Sequence, residues 1–157
     1  MPRLAGILLC FSIVVVNLAA GSLPDKPAGY VTDVARVLSK SEVAEIASRC
    51  AELDRKHKAQ IAVVIVNSLD SELIEAAALR LFRKWGIGRR GINDGILILL
   101  AIGDRQSRIE VGLGLESTVT NDVCSSILSN IQPDLVKKQY RIAILRALNY
   151  LSETTGP

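Results

Sequence analysis

The sequence predicts an α/β domain, a single three-layer αβα sandwich built on a small mixed sheet with about four helices. Three observations predict it. Residues 61–66 and 96–102 are continuous apolar runs of strand length, the pattern of strands covered on both faces. Between them Ile74, Ala77, Ala78, Leu81, Phe82 and Trp85 recur at steps of three and four, giving an amphipathic helix that Gly86 stops. Strand, helix, strand is the unit that joins parallel strands by a right-handed crossover. Gly103-Asp104-Arg105-Gln106 then supplies turn chemistry, and residues 107–112 alternate polar and apolar, so an antiparallel hairpin should make the sheet mixed.

The other elements follow in chain order. Leu23-Pro24-Asp25-Lys26-Pro27-Ala28-Gly29 is an extended or turning leader, and Tyr30-Val31-Thr32-Asp33 adds a short edge strand or a loop. Ser39-Lys40-Ser41-Glu42 has the spacing of a capping box, opening a helix with Val43, Ile46, Cys50 and Leu53 on its apolar stripe. Asp70 or Ser71 should cap the second helix. Thr120-Asn121-Asp122 opens a third, with Val123, Ile127 and Ile131 inward and Pro133 as its end. A last helix carries Val136, Tyr140, Ala143, Ile144, Ala147, Leu148 and Leu151 on one side.

Length and composition bound what the chain can be. At 157 residues, 49% apolar and 22% charged, it suits one globular domain over 23–157. Residues 1–22 read as a secretory signal peptide: Arg3, then an apolar run to Val16, then the small residues Ala19-Ala20-Gly21-Ser22. That run is short for a membrane span, so cleavage is favoured over a retained anchor. Ile7-Leu8-Leu9 ahead of Cys10 does not fit a lipoprotein signal. Losing Arg3 and no acid takes the formal charge from +3 to +2. Arg80, Arg83, Lys84, Arg89 and Arg90 cluster at one helix end, but aromatics are only 4% of the chain, which argues against nucleic-acid binding. Cys50 and Cys124 remain after cleavage, on apolar helix faces, where a disulfide or two buried thiols are both open.

The familiar catalytic patterns are missing. The sequence has no GxxxxGK[ST] loop, GxSxG elbow, HExxH or CxxC, and its one histidine, His57, reads as a solvated residue at a helix C-terminus. Gly112-Leu113-Gly114 has no following helix to make it a nucleotide loop. No catalytic residue and no organic cofactor is assigned. With residues 103–106 as the hairpin loop, paired positions sum to about 209, which sets Asp94 near Leu115 and Glu116. Gly86, Gly88, Gly91, Gly95, Gly112 and Gly114 surround that rim, either as plain turns or as a surface that a ligand can approach closely. Asp33, Asp94, Glu110 and Glu116, with Asn93 as a neutral donor, form the candidate metal set, and calcium or magnesium suits such oxygen donors. Glu110 also has Arg108 two residues away on the same face, a possible ion-pair partner.

Several ordered motifs carry a resemblance: Gly29-Tyr30-Val31-Thr32-Asp33, Leu38-Ser39, the strand at 61–66, Lys84-Trp85-Gly86-Ile87-Gly88, Asn93-Asp94-Gly95 and Glu110-Val111-Gly112-Leu113-Gly114-Leu115-Glu116. Together, over about residues 23–151, they resemble the TPM domain family. The resemblance implies an αβα sandwich, and members described as acid phosphatases, as calcium binders or as non-enzymatic partners of membrane complexes. It also implies that Asp33, Asp94, Glu110 and Glu116 are the matching acidic positions, with calcium as the cation. Many bacterial relatives continue into a transmembrane helix and a glycine-rich tail, which this sequence lacks, so no stable span is expected after signal cleavage. The expected protein is exported, to a periplasm, the extracellular space or an organelle lumen. There it serves as a binding or accessory module for an envelope or membrane protein complex. The alternative is a metal-assisted acid phosphatase acting on phosphomonoesters.

Overall fold

The apolar runs at 61–66 and 96–102 become strands because their side chains have two cores to enter. The computed structural model describes residues 23–57 and 59–156; the expected signal peptide lies outside them. The order is β1 (Val31–Asp33), α1 (Lys40–His57), β2 (Gln60–Val66), α2 (Ile74–Trp85), β3 (Gly95–Ala101), β4 (Gln106–Val111), α3 (Asn121–Val136) and α4 (Tyr140–Thr155). The strands lie in the order β1-β2-β3-β4, with β1 and β3 parallel to β2 and β4 antiparallel to β3. Ile61, Val63, Ile65, Ile96, Ile98 and Leu100 face a core made with α1, α3 and α4. Ala62, Val64, Val66, Leu97, Leu99 and Ala101 face a smaller core made with α2. This is the three-layer mixed α/β arrangement that the periodicity predicts.

The helix starts follow local chemistry. At α1 the Ser39 amide donates to Glu42 Oε2 (2.7 Å) and the Glu42 amide to Ser39 Oγ (3.3 Å), the reciprocal capping box. At α3 the Thr120 hydroxyl accepts from the Val123 amide, and at α2 Gly86 ends the helix in the left-handed region (φ 60°). Of the basic cluster, Arg80 pairs with Glu72 and Lys84 with Asp25, both on the surface.

Four sequence expectations are corrected. Asp70 and Ser71 do not cap α2; both take positive φ (51° and 70°) in the preceding turn, and Leu73 is the N-cap residue with no side-chain cap. Pro133 does not end α3, which runs on to Val136. The helix continues because Ile131 is fully buried and Asp134, beyond the proline, binds Arg146 (2.8 Å), holding the last turn to α4. Val136 therefore belongs to α3, where it is exposed, and Lys138 (φ 58°) breaks the chain before α4. The hairpin pairs positions summing to 207, as in Ile96–Val111, because Arg105 takes the left-handed turn position (φ 54°) and frees Gln106 for the ladder. Asp94 thus falls opposite Leu113, two residues from the expected register.

Cys50 and Cys124 are both free and buried. Burial pushes the Cys50 thiol up to about 12 and raises that of Cys124 too. The Cys50 thiol should therefore resist an aromatic disulfide reagent at about pH 8 while the chain is folded, and react once it is denatured. Peptide mass mapping of the labelled cysteines checks this; rapid labelling of Cys50 in the native chain would contradict the packing.

Candidate functional site

The four expected metal residues are dispersed over the sheet, and the strand directions explain how. β1 and β3 are parallel to β2, so Asp33, in register with Ile65 and through it with Leu100, lies at the carboxyl end of the sheet. Asp94 precedes Gly95 at the amino end, six residues of β3 from Leu100, or roughly 20 Å along the strand. Asp33 Oδ2 accepts from the Leu38 amide (2.8 Å) and so helps shape the approach to α1, while its Oδ1 is buried without a partner.

Asp94 is buried and neutralised from one loop. Its Oδ1 accepts from the Arg89 amide (2.7 Å) and its Oδ2 from Arg89 Nε (2.6 Å). The same guanidinium reaches Asp54 Oδ1 at the end of α1 (3.2 Å), and Asp54 Oδ2 accepts from the Tyr30 hydroxyl (2.9 Å). That hydrogen bond, then burial, raises the Tyr30 phenol above its ordinary value. Tyr30, Asp54, Arg89 and Asp94 thus form one network at the amino end of the sheet, in which Arg89 serves two carboxylates. Sequence reasoning missed Asp54, whose partners, Tyr30 just ahead of β1 and Arg89 in the loop before β3, are distant in the chain.

Glu110 and Glu116 do come together. They line a groove of about 510 Å³ between the edge of β4 and the start of α3, with Arg108, Thr120 and Asp122 beside them. Glu110 meets Arg108 Nη2 at 3.3 Å, the same-face pair that the strand spacing anticipates. Glu116 and Asp122 are exposed. Asp122 joins the groove although its sequence signal was that of a first-turn acid favouring the helix dipole. Among the described residues no three His, Cys, Asp or Glu side chains are gathered tightly enough to hold a metal ion.

Of the six glycines of this end, Gly88, Gly95, Gly112 and Gly114 admit backbone, while Gly86 and Gly91 have open space beside them and take positive φ. A Cβ on Gly112 would overlap the Asn93 carbonyl oxygen, and one on Gly95 the Ile87 carbonyl oxygen. These close approaches weld the loop carrying Arg89 and Asp94 to the end of β4. Gly112→Ala should accordingly force that loop away from β4, with a loss of about 2 kcal/mol or more in denaturant unfolding. Asp94→Ala removes two charge-assisted hydrogen bonds from a buried position and should cost about 2–3 kcal/mol by the same measurement, with Asp94→Asn costing less. A neutral Asp94→Ala would mean that Arg89 is satisfied elsewhere.

Comparison with known proteins places this architecture. No curated protein matches the chain. Among solved structures, the N-terminal domain of a protein from P. gingivalis is 28% identical, with a TM-score of 0.70 over 78% of this chain and 81% of that one. The N-terminal domain of the cg2496 protein from Corynebacterium glutamicum is 17% identical, with a TM-score of 0.67 over 85% and 84% of the two chains. The BA42 protein from Bizionia argentinensis is 19% identical, with a TM-score of 0.61 over 74% and 83%. The last two likenesses bear on the fold alone. The family model of the TPM domain matches residues 31–154, most of the chain, and with the mixed four-stranded sheet and four helices this makes the protein a member of the TPM domain family.

Proposed function

We propose that the chain is an exported binding or accessory module for an envelope or membrane protein complex, and that calcium is the cation its acidic groove takes up. The observation that carries this reading is how the polar groups are committed. Arg89, the arginine best placed to grip a phosphoryl group at the amino end, is held by Asp54 and Asp94. In the β4–α3 groove the only hydroxyl side chain among the lining residues is that of Thr120, which caps α3. A nucleophile and a general acid beside the carboxylates are what phosphomonoester hydrolysis would need. Binding asks less. Glu116 and Asp122 are open to solvent, and a cation entering the groove would draw them toward Glu110 to gather the hard oxygen donors that suit calcium. Asp33 and Asp94 lie outside that groove and act in the fold.

Two measurements on the purified chain test the reading. Calorimetric titration should show calcium uptake that Glu116→Gln weakens by about tenfold, while Asp33→Asn leaves it unchanged. Turnover of a phosphomonoester in calcium, magnesium or manganese should stay at the level of the Glu116→Gln control. Turnover that this substitution abolishes would replace the accessory reading with the phosphatase one. In the envelope, crosslinking should recover one reproducible membrane-protein partner, and recovery of none would count against the module.

A further inference from the structure

The two edges of the sheet are unequal. β1 offers three residues, whereas β4 runs for six and ends the strand order with no neighbour beyond it among the described residues. The Gly112 amide donates to the Gly95 carbonyl (2.8 Å), which makes these two residues a hydrogen-bonded pair. By antiparallel alternation the even-numbered residues of β4 then bond to β3. Ser107, Ile109 and Val111 turn their amides and carbonyls outward, toward the groove at the edge, and make no backbone bond there among the described residues.

Open edges are normally blunted by proline, a bulge, a covering element or charges that repel a second strand. β4 contains no proline, its register with β3 is continuous, and its charges are opposite in sign. Arg108 and Glu110 flank Ile109 on one face of the strand. Their contacts within the chain, 3.3 and 3.4 Å, are long for charge-assisted hydrogen bonds, so both groups can turn to a better partner.

We propose that the occupant of this edge is a second copy of the chain, with the two β4 strands pairing antiparallel about a two-fold axis at Ile109. In that register Ile109 faces Ile109, Ser107 faces Val111, and Arg108 faces Glu110. Two independent requirements coincide in it. The outward-pointing residues meet each other, so the edge groups bond in pairs. The charged residues meet at the non-hydrogen-bonded positions, where side chains lie closest and opposite charges help. The nearest slips that keep the two-fold axis and the backbone bonds set Arg108 against Arg108 or Glu110 against Glu110, and larger ones lose both ion pairs. The charge pattern therefore selects one register, and the interface is isologous and closes as a dimer. The product is one eight-stranded sheet with two ion pairs across the axis.

The test is solution mass against concentration, in a chelating buffer so that no cation bridges the groove. The parent should reach twice the mass of one chain. Arg108→Glu and Glu110→Arg should each weaken association by about tenfold or more, because each sets like charges opposite one another twice. The double exchange, Arg108→Glu with Glu110→Arg, restores the pairing in the same register and should return the parent value to within about threefold. An isotope-mixed sample of the parent should show contacts between Ile109 of one copy and Ile109 of the other, independently of any substitution. A single-chain mass at about 1 mM would overturn the proposal. So would a dimer indifferent to the single exchanges, or one that the double exchange fails to restore.

Discussion

The pairing of β2 with β3 is the constraint on which the rest depends. Seven consecutive residue pairs, from Gln60–Gly95 to Val66–Ala101, send alternate side chains into two separate cores. Because both strands are apolar on both faces, hydrophobicity alone would tolerate a slip. The ends forbid it. At one end the Gln60 amide donates to the Asp94 carbonyl (2.9 Å), while the Gln60 side-chain oxygen accepts from the Gly88 amide (2.6 Å). At the other end the Ile102 and Gly103 amides donate to the carbonyls of Val66 and Asn67 (3.0 and 2.8 Å). Polar contacts at the ends thus set a register that the apolar centre then stabilises.

The fixed register carries the loops with it. The segment between α2 and β3 is held to Gln60 through Gly88, to α1 through Arg89 and Asp54, and to the end of β4 through Asn93, whose carbonyl accepts from the Gly114 amide. The residues of the loop that look functional by type, Arg89 and Asp94, spend their charges on this bracing. What remains open at the same side of the sheet is the groove beside β4, where Glu116 and Asp122 are exposed and have no ion-pair partner among the described residues.

The centre of the fold was legible in sequence because periodicity reports burial directly. Residues 61–66 and the α2 stripe could be read with no knowledge of their partners, and the capping box named its own bonds. Boundaries set by distant contacts were not legible. Pro133 signals an end by its missing amide, but Asp134 gripping Arg146 from α4 keeps the helix going. The four expected metal residues lie at different places on the sheet for a similar reason. Sequence spacing along the hairpin set Asp94 near Glu116, a placement that shifts by two residues once Arg105 takes the turn position, whereas the place of Asp33 depends on the direction of β1. Asp94 looked available because its partner is a loop arginine whose approach depends on a turn, not on a periodicity.

A sheet with a parallel centre and one antiparallel strand has its chemistry distributed by that asymmetry. The central parallel strands β2 and β3 are covered on both faces, so their side chains are committed to packing. The antiparallel strand is covered less completely, and polar side chains can alternate with apolar ones along it: Arg108 and Glu110 lie between Ser107, Ile109 and Val111, with Ile109 alone deeply buried. The last strand is therefore the place where one residue in two can be altered without disturbing either core. Its even-numbered residues set the charge displayed at the edge, and its odd-numbered residues present the free backbone. In the proposed dimer these two properties of one strand act together, the side chains setting the register and the free backbone supplying the bonds.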